Sequence, residues 1–148
     1  MISFLICTVA WIAHHEFIHD LDHVDSRLLW LNSLYLMWIA FLPFPTALLG
    51  NHPEQPVAVY GSVCAVTCLS FSAVRWYASF RGGLMKRGIS DRKLDRDLRL
   101  SLCVSLLYVG GVAAGLFFPS VGLFLYAAIP ASYAISRLAS FKRTVDAR

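Results

Sequence analysis

Four apolar runs of about 20 residues each constrain this chain more than any motif in it. They cover residues 28–49, 57–80, 98–118 and 121–139. Each is long enough to cross a hydrocarbon core of about 30 Å as a helix. A helix is also the only open-chain structure that satisfies its own backbone in such a core. A fifth apolar run, residues 1–18, is strongly apolar only as far as Ala13 and ends in a histidine-rich segment. It has no basic leader and no small-residue cleavage site, so it does not read as a signal peptide. With 57% hydrophobic and 15% charged residues, the charge is crowded into the connections. The expected fold is all-α, a polytopic membrane protein of five transmembrane helices forming one domain over residues 1–148.

Orientation follows from Lys and Arg. In a five-helix arrangement the connections at 19–27 and 81–97 and the C-terminal tail share one side. That side carries Arg27, the cluster from Arg81 to Arg96, and Lys142, Arg143 and Arg148, with Arg75, Arg99 and Arg137 at adjoining helix ends. The opposite connections, 50–56 and 119–120, carry neither residue type. By the positive-inside rule the basic side is cytoplasmic, and the C-terminus with it, in a multi-pass protein of the cell membrane. The basic residues flank apolar runs and form no groove-sized face, which excludes a nucleic-acid partner. The lipid bilayer is the expected partner.

Several features read as packing. Cys7, Cys64, Cys68 and Cys103 lie inside apolar runs without CxxC spacing, as small apolar fillers. Gly111 and Gly115 form a GxxxG pattern of the kind that brings helices close. Pro119-Ser120 reads as a hairpin, Pro130 as a kink, and Arg75 as a side chain snorkelling to the cytoplasm. The stretch 81–97 reads as a solvated cytoplasmic connection.

The polar residues near the end of the first helix are of another kind. Trp11 stands three and four positions before His14 and His15, so one face can hold the indole and an imidazole. Asn32 lies about one turn into the next, antiparallel helix. Polar side chains at membrane depth face protein and need partners. A rival pattern overlaps them: His15-Glu16-x-x-His19 has the spacing of a zinc metalloprotease helix, with His23 continuing the ladder and Asp20 or Asp22 as further ligands. His52 and Glu54, the other candidate ligands, lie on the opposite side.

The run W-I-A-H-H at 11–15, L-L-W-L-N-S-L-Y-L at 28–36 and F-L-P-F-P-T-A-L-L at 41–49 resembles the prokaryotic transmembrane protein 175 family of potassium channels. The resemblance implies a six-helix fold with both termini cytoplasmic, of which this chain would supply the second to sixth helices. It implies passive transport of potassium ions, with no cofactor and no enzymatic activity, in a homotetramer. In the family the first helix carries Arg-x-x-x-Phe-Ser-Asp and lines the pore, and its polar groups bond to a Trp, a His and an Asn. Those positions would be Trp11, His14 or His15, and Asn32. Pro43, Phe44 and Thr46 match the family's ending of the next helix. This sequence contains no Arg-x-x-x-Phe-Ser-Asp, so the expectation is a family member without its pore helix. The alternatives are the intramembrane metalloprotease, with His15, His19 and His23 as metal ligands, and a non-conducting accessory subunit.

Overall fold

The computed structural model describes the backbone of residues 2–51 and 57–146, with side chains for residues 4, 6–50 and 57–132. The expectations that rest on His52, Glu54, Arg137, Lys142, Arg143 and Arg148 lie outside the described side chains. Among the described residues the chain is helical, with no strand beyond one isolated bridge. The helices are α1 (Ile2–His19), α2 (Ser26–Phe41), α3 (Pro43–Asn51), α4 (Val57–Trp76), α5 (Asp91–Phe117) and α6 (Pro119–Asp146), with a π-helical turn at Tyr77–Arg81.

Among the described residues three stretches are long and apolar enough to cross a membrane: Ser26–Gly50, Val57–Arg81 and Asp91–Phe117. A shorter apolar helix follows at Pro119–Ser132. Large apolar side chains are widely exposed, as at Phe4, Leu106, Leu116 and Phe124. That surface suits lipid and not water.

α4 is the centre of the bundle and packs against α5, α2, α3 and α6. Its residues divide between two cores. One gathers Tyr60, Cys64, Tyr108 and Tyr126 with Leu42 and Val57. The other gathers Phe17, Leu28, Tyr35, Phe71, Val74 and Leu84. The glycines make the first core possible. A Cβ on Gly122 would stand 3.0 Å from Gly115 Cα, and one on Gly111 would stand 2.7 Å from the Tyr126 ring. The GxxxG pattern therefore serves the close approach of α5 and α6. Gly61 of α4 lies directly under the Tyr126 hydroxyl.

The helix boundaries differ from those expected in three places. The second span runs through Pro43-Phe44-Pro45 to Gly50, in keeping with the apolar run 28–49, but not as one helix. It breaks at Leu42 and resumes as α3, because Pro43 and Pro45 lack the N–H groups that would continue the ladder. Ile39 O instead accepts from Leu42 N at 3.2 Å. Pro43 then occupies the first position of α3, where a missing N–H costs nothing. Half of the expected 81–97 connection is helix: Ser90 caps α5, its hydroxyl accepting from Lys93 N, and Asp91 follows in the first turn. A search for apolar runs passes over such a charged first turn. Pro119 and Ser120 form no separate hairpin; Phe118 alone links α5 to α6, and Pro119 is the first residue of α6.

The connections at 20–25 and 82–90 meet. Leu21 and Met85 form the antiparallel bridge. Asp22 N donates to Leu84 O at 2.9 Å and Lys86 N to Asp20 O at 3.0 Å. Lys93 Nζ reaches Asp20 Oδ2 at 2.7 Å, and Lys86 Nζ reaches His19 O at 2.6 Å. Two connections placed on one side by charge alone are thus joined at one end of the bundle.

Candidate functional site

α1 and α2 are antiparallel neighbours, which brings the last turns of one beside the first turns of the other. Asp25 fixes this entry. It caps α2 by accepting from Leu28 N at 2.7 Å, and its second oxygen accepts from the Tyr77 hydroxyl at 2.6 Å. Both bonds favour the carboxylate, the tyrosine more strongly, so the Asp25 carboxyl sits below its ordinary range.

One to two turns further in, His14 Nε2 and Asn32 Oδ1 are 2.7 Å apart. An amide oxygen can only accept, so His14 donates and carries its proton on Nε2. The pair is half-buried. Tyr35, one turn on from Asn32, closes the site from inside. Its hydroxyl donates to Ala10 O at 3.3 Å, and its ring lies 5.3 Å from His14 and 5.0 Å from Phe71.

Spacing alone left His14 and His15 equivalent; the structure separates them. His15 stacks on Trp11, ring centroids 5.3 Å apart and planes 15° from parallel. This pair occupies the outward stripe of α1, where Trp11 is 63% exposed. The helix turns about 100° per residue, so His14 faces α2 while Trp11 and His15, four apart, share the other stripe. Of the four expected cluster residues, His14 and Asn32 bond directly, and Trp11 and His15 form a second pair beside them. Pro43, Phe44 and Thr46 lie well along the bundle at the α2–α3 break, away from this site.

Behind the His14–Asn32 pair is a charged contact that was not expected. Arg75 lies over the rings of Phe17 and Phe71, at 5.4 and 5.0 Å from their centroids. Its Nη1 is 3.6 Å from Asp97 Oδ2 on α5, and both side chains are largely buried. Arg75 therefore turns into the bundle and does not snorkel outward. Asp97 is the first member of a polar stripe on α5 that faces α4. Ser101 and Ser105 continue it, with Ser72 of α4 2.6 Å from Ser101 and 3.4 Å from Ser105. The signal was present in the sequence, since 97, 101, 105 and 108 recur at helical spacing. It becomes visible only once α5 is known to start at Asp91.

The metal alternative does not assemble. Among the described residues no three His, Cys, Asp or Glu side chains converge on a common point. His15 and His19 lie edge to face at 6.1 Å. α1 then ends, and the Leu21–Met85 bridge diverts the chain, so His23 does not continue the helical ladder. It lies beside Asp22, at 3.6 Å.

The chain is similar to known channel proteins. The family model for the endosomal/lysosomal potassium channel TMEM175 matches residues 1–43, the segment that holds Trp11, His14, His15 and Asn32. A potassium channel from Streptomyces collinus is 31% identical over 133 residues, which is 86% of this chain and 64% of that protein. The endosomal/lysosomal proton channel TMEM175 of Gallus gallus is 37% identical over 75 residues, 50% of this chain and 15% of that protein. The crystal structure of a lysosomal potassium-selective channel TMEM175 homolog from Chamaesiphon minutus superposes with a TM-score of 0.80 at 20% identity, covering 91% of this chain and 70% of that one. That superposition shows a shared fold. The chain spans 64% of the length of the Streptomyces relative and 15% of the chicken one.

Proposed function

We propose that the chain is a member of the TMEM175 channel family and takes part in passive potassium transport across the cell membrane as a homotetramer, its residues supplying the second to sixth helices of the six-helix fold. The observation that carries the proposal is the coincidence of the family match over residues 1–43 with the side-chain bond from His14 of α1 to Asn32 of α2. Potassium is taken as the ion because both the family model and the bacterial relative are named as potassium channels.

In this reading the His14–Asn32 bond fixes the crossing of α1 and α2. The Trp11–His15 pair, exposed on the same helix, is the surface on which a pore-lining helix packs. The Asp25, Lys86 and Lys93 end faces the cytoplasm, as the distribution of Lys and Arg requires. With both α1–α2 and α4–α5 connections at that end, an even number of crossings separates it from the end of α6, and the C-terminus is cytoplasmic.

The test is potassium flux from liposomes containing the purified chain, with a potassium-selective dye outside and valinomycin as the reference for intact vesicles. Flux above protein-free vesicles, reduced in Asn32→Ala, supports the reading. A pH dye run in parallel separates proton from potassium movement. Vesicles that respond to valinomycin and show no protein-dependent flux refute conduction and leave the accessory-subunit reading. Chemical crosslinking in the same vesicles that stops at monomer refutes the tetramer.

A further inference from the structure

We propose that the first turns of α5 form a binding site for the headgroup of an anionic phospholipid. Arg92, Arg96 and Arg99 fall on one stripe of the helix, at i, i+4 and i+7, and the stripe continues into Leu100 and Cys103. These residues, with Asp95, line an open concavity of about 360 Å³. Arg96 and Arg99 are 69% and 75% exposed, and Leu100 is 57% exposed. The opposite stripe of the helix, Asp97, Ser101 and Ser105, is turned into the bundle against α4.

The charge is complementary to a phosphodiester. Three guanidinium groups line the concavity and outnumber the two carboxylates that pair with them, Asp95, which accepts from Arg99 Nη2 at 2.8 Å, and Asp97. Arg96 leans to Asp97 Oδ1 at 3.3 Å, an oxygen-bearing group already shared with Arg75. Arginine is the side chain whose fork suits phosphate oxygens. The position fits as well. The basic turns lie where the apolar segment of α5 begins, at headgroup depth, and exposed Leu100, Cys103 and Leu107 continue along the lipid-facing surface beneath them. A soluble phosphate would use the arginines and leave that apolar continuation without a role, whereas a phospholipid uses both. The occupant is therefore a lipid of the leaflet this end of the bundle meets.

Native mass spectrometry of the purified full chain, loaded with equal amounts of phosphatidylglycerol and phosphatidylcholine, tests this. The wild type should retain phosphatidylglycerol in preference, and R92Q/R96Q/R99Q should lose that preference on the order of tenfold. Glutamine keeps the helix-forming tendency of arginine, and a melting curve on the same samples verifies that the variant is folded. A control variant, R81Q/R87Q, removes two exposed basic residues outside the stripe and should retain phosphatidylglycerol. Glycerol phosphate added in excess should not displace the lipid. Equal retention of both lipids by the wild type, undiminished preference in the triple variant, or an equal loss in R81Q/R87Q would each overturn the assignment. Displacement by glycerol phosphate would overturn the lipid as occupant.

Discussion

Alanine at Gly111 and at its neighbour Gly110 separates packing from backbone preference. Both residues lie inside α5, so both substitutions gain about 1 kcal/mol of intrinsic helix preference. Their surroundings differ. A Cβ at Gly110 meets nothing within 4 Å, whereas one at Gly111 meets Tyr126 Cε1 at 2.7 Å. Tyr126 is 1% exposed, and its ring is held between those of Tyr60 and Tyr108, each 5.8 Å away. Its hydroxyl end is closed by Gly61. The ring cannot swing clear, so α5 and α6 must separate. Overpacking of this kind costs about 1–3 kcal/mol. Because the helix-preference gain is common to both variants, that cost is the difference between them. At about 2–4 °C per kcal/mol, G111A should melt roughly 2–12 °C below G110A. Cys64, buried in the same core, is the reporter: a thiol-reactive dye labels it as the core opens in detergent. Cys7, Cys68 and Cys103 are more open than Cys64 and are first changed to alanine. If G111A melts with or above G110A, the Tyr126 ring is not wedged and the close approach of α5 and α6 is not set by glycine.

The joined end of the bundle gives two further expectations. Tyr77→Phe removes the stronger of the two bonds that hold the Asp25 carboxyl low. A lowered carboxyl pKa contributes stability that is complete above the unfolded value of about 3.9 and is lost as pH falls through the folded value. The substitution should therefore raise the Asp25 midpoint in a carbon-detected NMR titration below about pH 5, and an unchanged midpoint would show that Tyr77 does not set it. Lys93→Gln breaks the bond to Asp20, a pair partly open to solvent. It should cost at most about 1 kcal/mol in low salt. That difference from wild type should vanish in molar salt, where charges are screened within about 3 Å; a gap that persists would mean Lys93 acts through packing.

How much of this was legible in the sequence depended on whether the relevant distance was local. Apolar runs yielded the helices, and the glycine spacing yielded the close packing, because both are properties of one helix. The antiparallel turn at 19–27 brought Asn32 to the depth of His14, so the pair could be anticipated, although only the rotation of α1 decides between His14 and His15. The Arg75–Asp97 contact depends on how α4 crosses α5, and Asp97 stood within an apparent loop of mixed charge. The break at Leu42 was placed as an ending because proline stops a helical ladder. Whether the chain then turns or resumes depends on packing against α4. The zinc-like spacing failed for a related reason. It assumes that the helix continues through His23, whereas backbone pairing with residues 84–86 ends it at His19.

The backbone pairing between 20–22 and 84–86 has a mechanical consequence. The α1–α2 hairpin and the α4–α5 hairpin are tied by main-chain hydrogen bonds and a short ion pair at one end of the bundle. Any relative tilt of the two hairpins must therefore turn about that end, with displacement growing along the helices away from it. Trp11 and His15 lie within three turns of the hinge and move least, while α3 and the α5–α6 junction lie far from it and move most. Such a tilt would also have to part the core of Leu42, Val57, Tyr60, Tyr108 and Tyr126 at the far end, so the two ends together hold the hairpins in register.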